Sequence, residues 1–110
     1  MANPSKITTM QITSVVVIGL ENPIAARELA HTCGADLNWV VQLVEAGVIE
    51  LQDEAVAPDA WYFYSADLHR ALEARRLERD FGVGLEAAAL ILDLQHEVRR
   101  LKAALAAQRR

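Results

Sequence analysis

Apolar side chains at the start of the chain fall on even positions, Met10, Ile12, Val16, Ile18 and Leu20, with Gln11 and Thr13 between them. That period of two, joined to a β-branched run at 15–18, predicts one N-terminal strand, buried on both faces toward its end. Glu21, Asn22 and Pro23 mark a turn. Proline in the first helical position behind an Asn cap predicts a helix from there.

The period then lengthens. A helix over 24–32 would turn Ile24, Ala25, Leu29 and Ala30 inward and stop near Cys33 and Gly34, where glycine suits a left-handed C-terminal residue. Asp36 is a good cap for a second helix whose stripe is Trp39, Val40, Leu43 and Val44, ended by Ala46 and Gly47. Two short helices joined by a tight glycine-containing turn make a candidate helix-turn-helix. Val48, Ile49 and Leu51 lead out as a short strand or extended piece, and 52–60, polar and aperiodic around Pro58, is a loop. Trp61, Tyr62, Phe63 and Tyr64, four bulky β-formers in a row, predict a short strand in the position of a wing. Register decides its partner, and the sequence does not display register.

Two longer helices complete the pattern. Ser65 is the expected cap of the first, with Asp67 in its first turn facing the helix dipole. Leu68, Leu72, Leu77 and Phe81 would form its apolar side, before Gly82 and Gly84 break it. From Leu85 the last helix carries a near-heptad seam, Ile91, Val98 and Leu105 alternating with Ala87, Leu94, Leu101 and Gln108. At about three heptads the seam is too short to stand as an isolated coiled coil. Two readings stay open: packing on its own domain, or a homodimer seam through Ile91, Leu94, Val98, Leu101 and Leu105.

The whole is one mainly α domain over 1–110. Residues 1–22 are strand and turn, 23–64 the helix-turn-helix and wing, and 65–110 the two C-terminal helices. A chain of 110 residues buries roughly 60 to 65 % of its unfolded surface, too little for a site spread over two domains. With 53 % hydrophobic and 24 % charged residues it is expected to fold. No apolar run approaches the ~18 residues of a membrane span, and polar interruptions at Thr8, Thr9, Gln11, Thr13 and Ser14 argue against a secretory signal. The single Cys33 permits no internal disulfide, so the expected compartment is the cytoplasm.

Charge divides the chain more sharply than its net of -4 suggests. Up to Tyr64 there are two basic residues, Lys6 and Arg27, against eight acids; from Ser65 onward there are nine basic and seven acidic. An acidic docking part and a basic, salt-bridged helical part are the functional reading; two solvated faces are the plain one. Arg99, Arg100, Lys102, Arg109 and Arg110 form a basic tail that reads as a solvated helix face, with Asp93 and Glu97 near enough to pair with it.

Catalytic chemistry is not specified. His31 and Cys33 lie two apart, but His69 and His96 bring no second cluster, and a closed zinc site needs about four ligands. Cys33 lacks an assignable base, and no phosphate-cradling glycine motif occurs. The expectation is a protein that is not an enzyme and needs neither metal nor cofactor.

Three runs carry a resemblance. Arg27-Glu28-Leu29-Ala30-His31-Thr32-Cys33-Gly34-Ala35, then Leu43-Val44-Glu45-Ala46-Gly47-Val48-Ile49-Glu50, then Trp61-Tyr62-Phe63-Tyr64-Ser65-Ala66-Asp67-Leu68 are similar to the winged helix-turn-helix of MerR-like proteins. The chain looks most like the chaperone-modulator CbpM family, on the absence of an effector domain, the acidic loop before Trp61, the joint at 80–86 and the Leu-rich last helix. That resemblance implies a small cytoplasmic protein that binds the J-domain of a CbpA-type DnaJ-like co-chaperone and inhibits it. A DNA reader of this group needs cations on its second helix and wing. Here those parts offer Asp36, Asn38, Gln42 and Glu45, then Asp53, Glu54, Asp59 and Tyr62. DNA is therefore a poor partner, although a MerR-like DNA-binding transcription regulator remains the alternative. The docking candidates are Glu45, Glu50, Asp53, Glu54 and Asp59. Trp39 and Trp61 sit in apolar settings that suit core positions, with a role as interface anchors as the other option.

Overall fold

A computed structural model of the chain describes residues 22–51 and 56–109. The strand expected over 10–20, and the docking candidates Asp53 and Glu54, lie outside the described residues. In order, the elements are β1 (Ile24–Ala25), α1 (Ala26–Thr32), α2 (Leu37–Glu45), a 3-10 turn (Pro58–Ala60), β2 (Tyr62–Phe63), α3 (Ser65–Phe81) and α4 (Leu85–Gln108). The protein is mainly helical, a winged helix-turn-helix followed by two long helices.

The chain enters differently from the sequence expectation. Ile24 and Ala25 are not the first turn of a helix; they pair antiparallel with β2, Ile24 opposite Phe63 and Ala25 opposite Tyr62. The missing register of the wing strand is thereby supplied. α1 starts two residues later, with Ala25 extended at its N-cap and the Ala26 N–H donating to the Trp61 carbonyl at 3.0 Å. The reason is pairing: Phe63, fully buried, needs a backbone partner, and Ile24 provides it beside the core.

Both ends of the helix-turn-helix close as the glycines imply. After α1, the Ala35 N–H bonds the Ala30 carbonyl at 2.9 Å and the Gly34 N–H bonds His31 at 3.0 Å, with Gly34 at φ 71°. After α2, Val48 bonds Leu43 and Gly47 bonds Val44 in the same pattern, with Gly47 at φ 84°. This paired closure satisfies carbonyls that a helix end otherwise leaves open, and it requires the left-handed residue at its centre. Asp36 caps α2 as expected, accepting from the Trp39 N–H at 3.0 Å. Val48 and Ile49 form no strand; they turn straight into the core, 1 % and 3 % exposed.

Two details of the long helices also differ. The residue flanking α3 is Tyr64 rather than Ser65, and Asp67 reaches back to accept from the Tyr64 N–H at 2.9 Å. The buried side of α3 is Ala71, Ala74 and Leu77, while Leu72 and Phe81 stand 39 % and 67 % exposed. Facing them, α4 buries Leu85, Ala88, Ala89 and Leu92. Alanine on both sides lets the two backbones approach closely, which a Leu/Phe stripe would not. Leu29, Val40, Leu43 and Phe63 fill the centre of the core that these helices cover.

Candidate protein-docking surface

Among the described docking candidates, Glu45, Glu50 and Asp59 are all exposed. Glu45 ends α2, Glu50 follows the buried pair Val48 and Ile49, and Asp59 sits in the 3-10 turn. Glu45 and Glu50 are exposed as the polar residues beside Val44 and Ile49, which pack in or against the core, whereas Asp59 lies in a turn that buries none of its residues. α2 turns Trp39, Val40 and Leu43 inward and leaves Asn38, Gln42 and Glu45 to solvent, so its outer face holds no cation.

The two tryptophans are placed inside. Trp39 is 7 % exposed; its Nε1–H donates to Glu78 Oε1 at 3.0 Å, and the Arg75 guanidinium lies 5.4 Å from its ring centroid. Arg75 in turn donates to the Gly34 carbonyl at 3.0 Å and sits 3.6 Å from Glu78. That cluster fastens the helix-turn-helix to α3. Trp61 is half-buried, donating to the Val56 carbonyl at 3.1 Å with its ring edge-on to Phe63 at 6.5 Å. What the wing shows to solvent instead is Tyr62, 38 % exposed, in edge-to-face contact with Tyr64 at 5.9 Å.

Glu50 gains neighbours that sequence order does not reveal. It lines an open groove of about 570 Å³ with Asp67, Arg70, Asp93, His96 and Glu97. Arg70 is the brace behind it, its Nε–H donating to the Val48 carbonyl and its terminal nitrogen to Asp93 at 3.0 Å. Asp93 therefore pairs with α3, not with the basic tail; Glu97 does pair with the tail, through Arg100 at 2.8 Å. Four carboxylates against one committed guanidinium and a histidine give this groove an acidic lining. The sequence signal for it was the charged flank of the last helix, and only the fold carries that flank to Glu50.

No group of three or more His, Cys, Asp or Glu able to hold a metal occurs among the described residues. Cys33 is buried, and desolvation pushes its thiol above the ordinary range, only partly opposed by Arg75. A thiol so placed is a weak nucleophile. No described helix is long and apolar enough to cross a membrane.

The proposed seam divides in two. Ile91 is half-buried against the core, whereas Leu94, Val98, Leu101 and Leu105 are 56, 48, 56 and 51 % exposed. Leu90, outside the sequence seam, joins them at 60 %.

Compared with known proteins, residues 24–110 match a family model described as MerR HTH family regulatory protein. Neither the curated proteins nor the solved structures give a match.

Proposed function

The chain belongs to the MerR HTH family of regulatory proteins, and from that premise we propose that it works by docking on another protein, as a chaperone modulator of the CbpM type. In this reading it binds the J-domain of a CbpA-type DnaJ-like co-chaperone and inhibits it in the cytoplasm, without catalysis. One observation carries the choice of a protein over DNA. The outer face of α2, the element that a helix-turn-helix lays in a major groove, presents Asn38, Gln42 and Glu45 and no cation, and Glu50 and Asp59 follow on the same side of the sequence. Bringing these carboxylates to a duplex opposes binding, because affinity there rests on neutralising phosphates. J-domains present a basic helix to their Hsp70 partner, and an acidic surface competes for that helix. Charge would speed encounter, and an exposed aromatic such as Tyr62 would supply contact area.

The second reading is a DNA-binding transcription regulator, favoured by the family's description and by the cations Arg99, Arg100 and Lys102 on α4 and Arg109 at its C-terminal cap. A gel shift with non-specific duplex at low salt separates the two: the docking reading expects no shift. A pull-down with a cognate J-domain, followed by an Hsp70 ATPase assay, tests the first directly. Loss of the co-chaperone's stimulation is expected. Unchanged stimulation at saturating protein contradicts the inhibitory role.

A further inference from the structure

α3 and α4 bound a second open groove, of about 500 Å³, lined by His69, Arg70, Glu73, Leu92, Gln95 and Arg99. His69 and Glu73 are one turn apart on α3, and Gln95 and Arg99 one turn apart on α4, so each helix offers a stacked pair to the space between them. Leu92, 4 % exposed, is its apolar base. Arg70 is the one residue that this groove shares with the acidic groove beside Glu50.

Its donors are uncommitted, whereas its carboxylate is not. Arg70 already serves the Val48 carbonyl and Asp93, and Glu73, the one acid in the lining, is held by Arg76 at 2.9 Å. The side chains of His69, Gln95 and Arg99 make no hydrogen bond or ion pair among the described residues. Of the arginines within α3 and α4, Arg99 alone has no acid paired with it there. The sequence accounts for this. One turn from Arg99 on its helix stand Gln95, His96, Lys102 and Ala103, whereas Arg100 finds Glu97.

We propose that this groove binds a small organic anion, with its carboxylate or phosphate on Arg99 and its apolar body over Leu92. A guanidinium meets either head group through two parallel hydrogen bonds, and Gln95 and His69 bring further N–H donors to the same space. Arg70, although committed, adds positive potential behind them. A cationic ligand would face both arginines. Occupancy of this groove does not depend on what the acidic face engages, because the two meet only at Arg70.

Titration of the isotope-labelled full chain with phenyl phosphate, benzoate and inorganic phosphate, followed by amide chemical shifts, tests the site. Saturable shifts around His69, Gln95 and Arg99 are expected from phenyl phosphate or benzoate, with a dissociation constant of about 1 mM or tighter. The stronger of the two identifies the preferred head group. Inorganic phosphate has nothing to lay on Leu92 and should bind several-fold more weakly than phenyl phosphate. Arg99→Gln should weaken the organic anions by about tenfold, the loss of one charge-assisted pair. Lys102→Gln removes the same charge one turn further along α4 and should leave binding unchanged. Both side chains are exposed, so helical circular dichroism should match wild type in each variant. No saturable shift from either organic anion, equal losses in R99Q and K102Q, or inorganic phosphate binding as tightly as phenyl phosphate overturns the proposal.

Discussion

At the scale of single residues, commitments to packing decide which side chains remain for a partner. Trp39 looks like an anchor when only its size is considered. Its Nε1–H is spent on Glu78, its face on Arg75 and its bulk on the core, so truncating it should damage folding rather than binding alone. Cys33 illustrates the same rule for chemistry. The sequence placed it at a helix end beside His31, which does not distinguish a buried thiol from a reactive one. Burial at 7 % exposure settles that, and it raises the thiol out of its ordinary range. Alkylation by iodoacetamide at pH 8 should accordingly be several-fold slower than for a free thiol and should recover in guanidinium. Because the folded thiol ionises later than the unfolded one, stability is unaffected below the unfolded value and falls as pH rises through it. Rapid labelling of the native protein would show that Cys33 is not enclosed.

At the scale of elements, the helix-turn-helix was readable because its ends are chemical. Asp36, Gly34 and Gly47 fix caps by local hydrogen bonding, and each cap sits where the residues place it. The entry at Ile24 was not readable, since Asn22-Pro23 is an equally good helix start and the competing strand depends on Phe63, nearly forty residues away. The buried side of α3 was readable at Leu77 and Leu68 but not at Leu72 and Phe81, which face solvent, for a related reason. Large apolar residues mark a face only when the space opposite is large, and here α4 answers with Ala88 and Ala89. Ala74→Leu should therefore cost about 1–3 kcal/mol by overpacking, read from urea unfolding, while Leu72→Ala on the outer side should cost far less. Equal costs would place the wrong face inward. The groove beside Glu50 was hidden because its carboxylates come from three separate segments, and the Arg70 brace links the Val48 carbonyl to Asp93 across two of them.

Across the whole molecule, the distribution of charge is the property with functional reach. Residues 1–97 contain all fifteen acids and only six of the eleven Lys and Arg residues. The helix-turn-helix face inherits that excess, so the family's usual reading element meets a cationic surface better than a phosphate backbone. The basic end of α4 is the complement, with Arg100 paired to Glu97 of the same helix at 2.8 Å. Binding through the acidic face should weaken as salt screens it, over a distance of about 8 Å at physiological ionic strength. The central claim is that this face engages a protein and not a duplex, and a titration of the protein with a CbpA-type J-domain at low and at high salt tests it most directly. The account predicts saturable binding whose affinity falls as salt rises and is reduced further by Glu45→Lys with Glu50→Lys. No binding to the J-domain, from a protein that shifts duplex DNA at the same low salt, would contradict it.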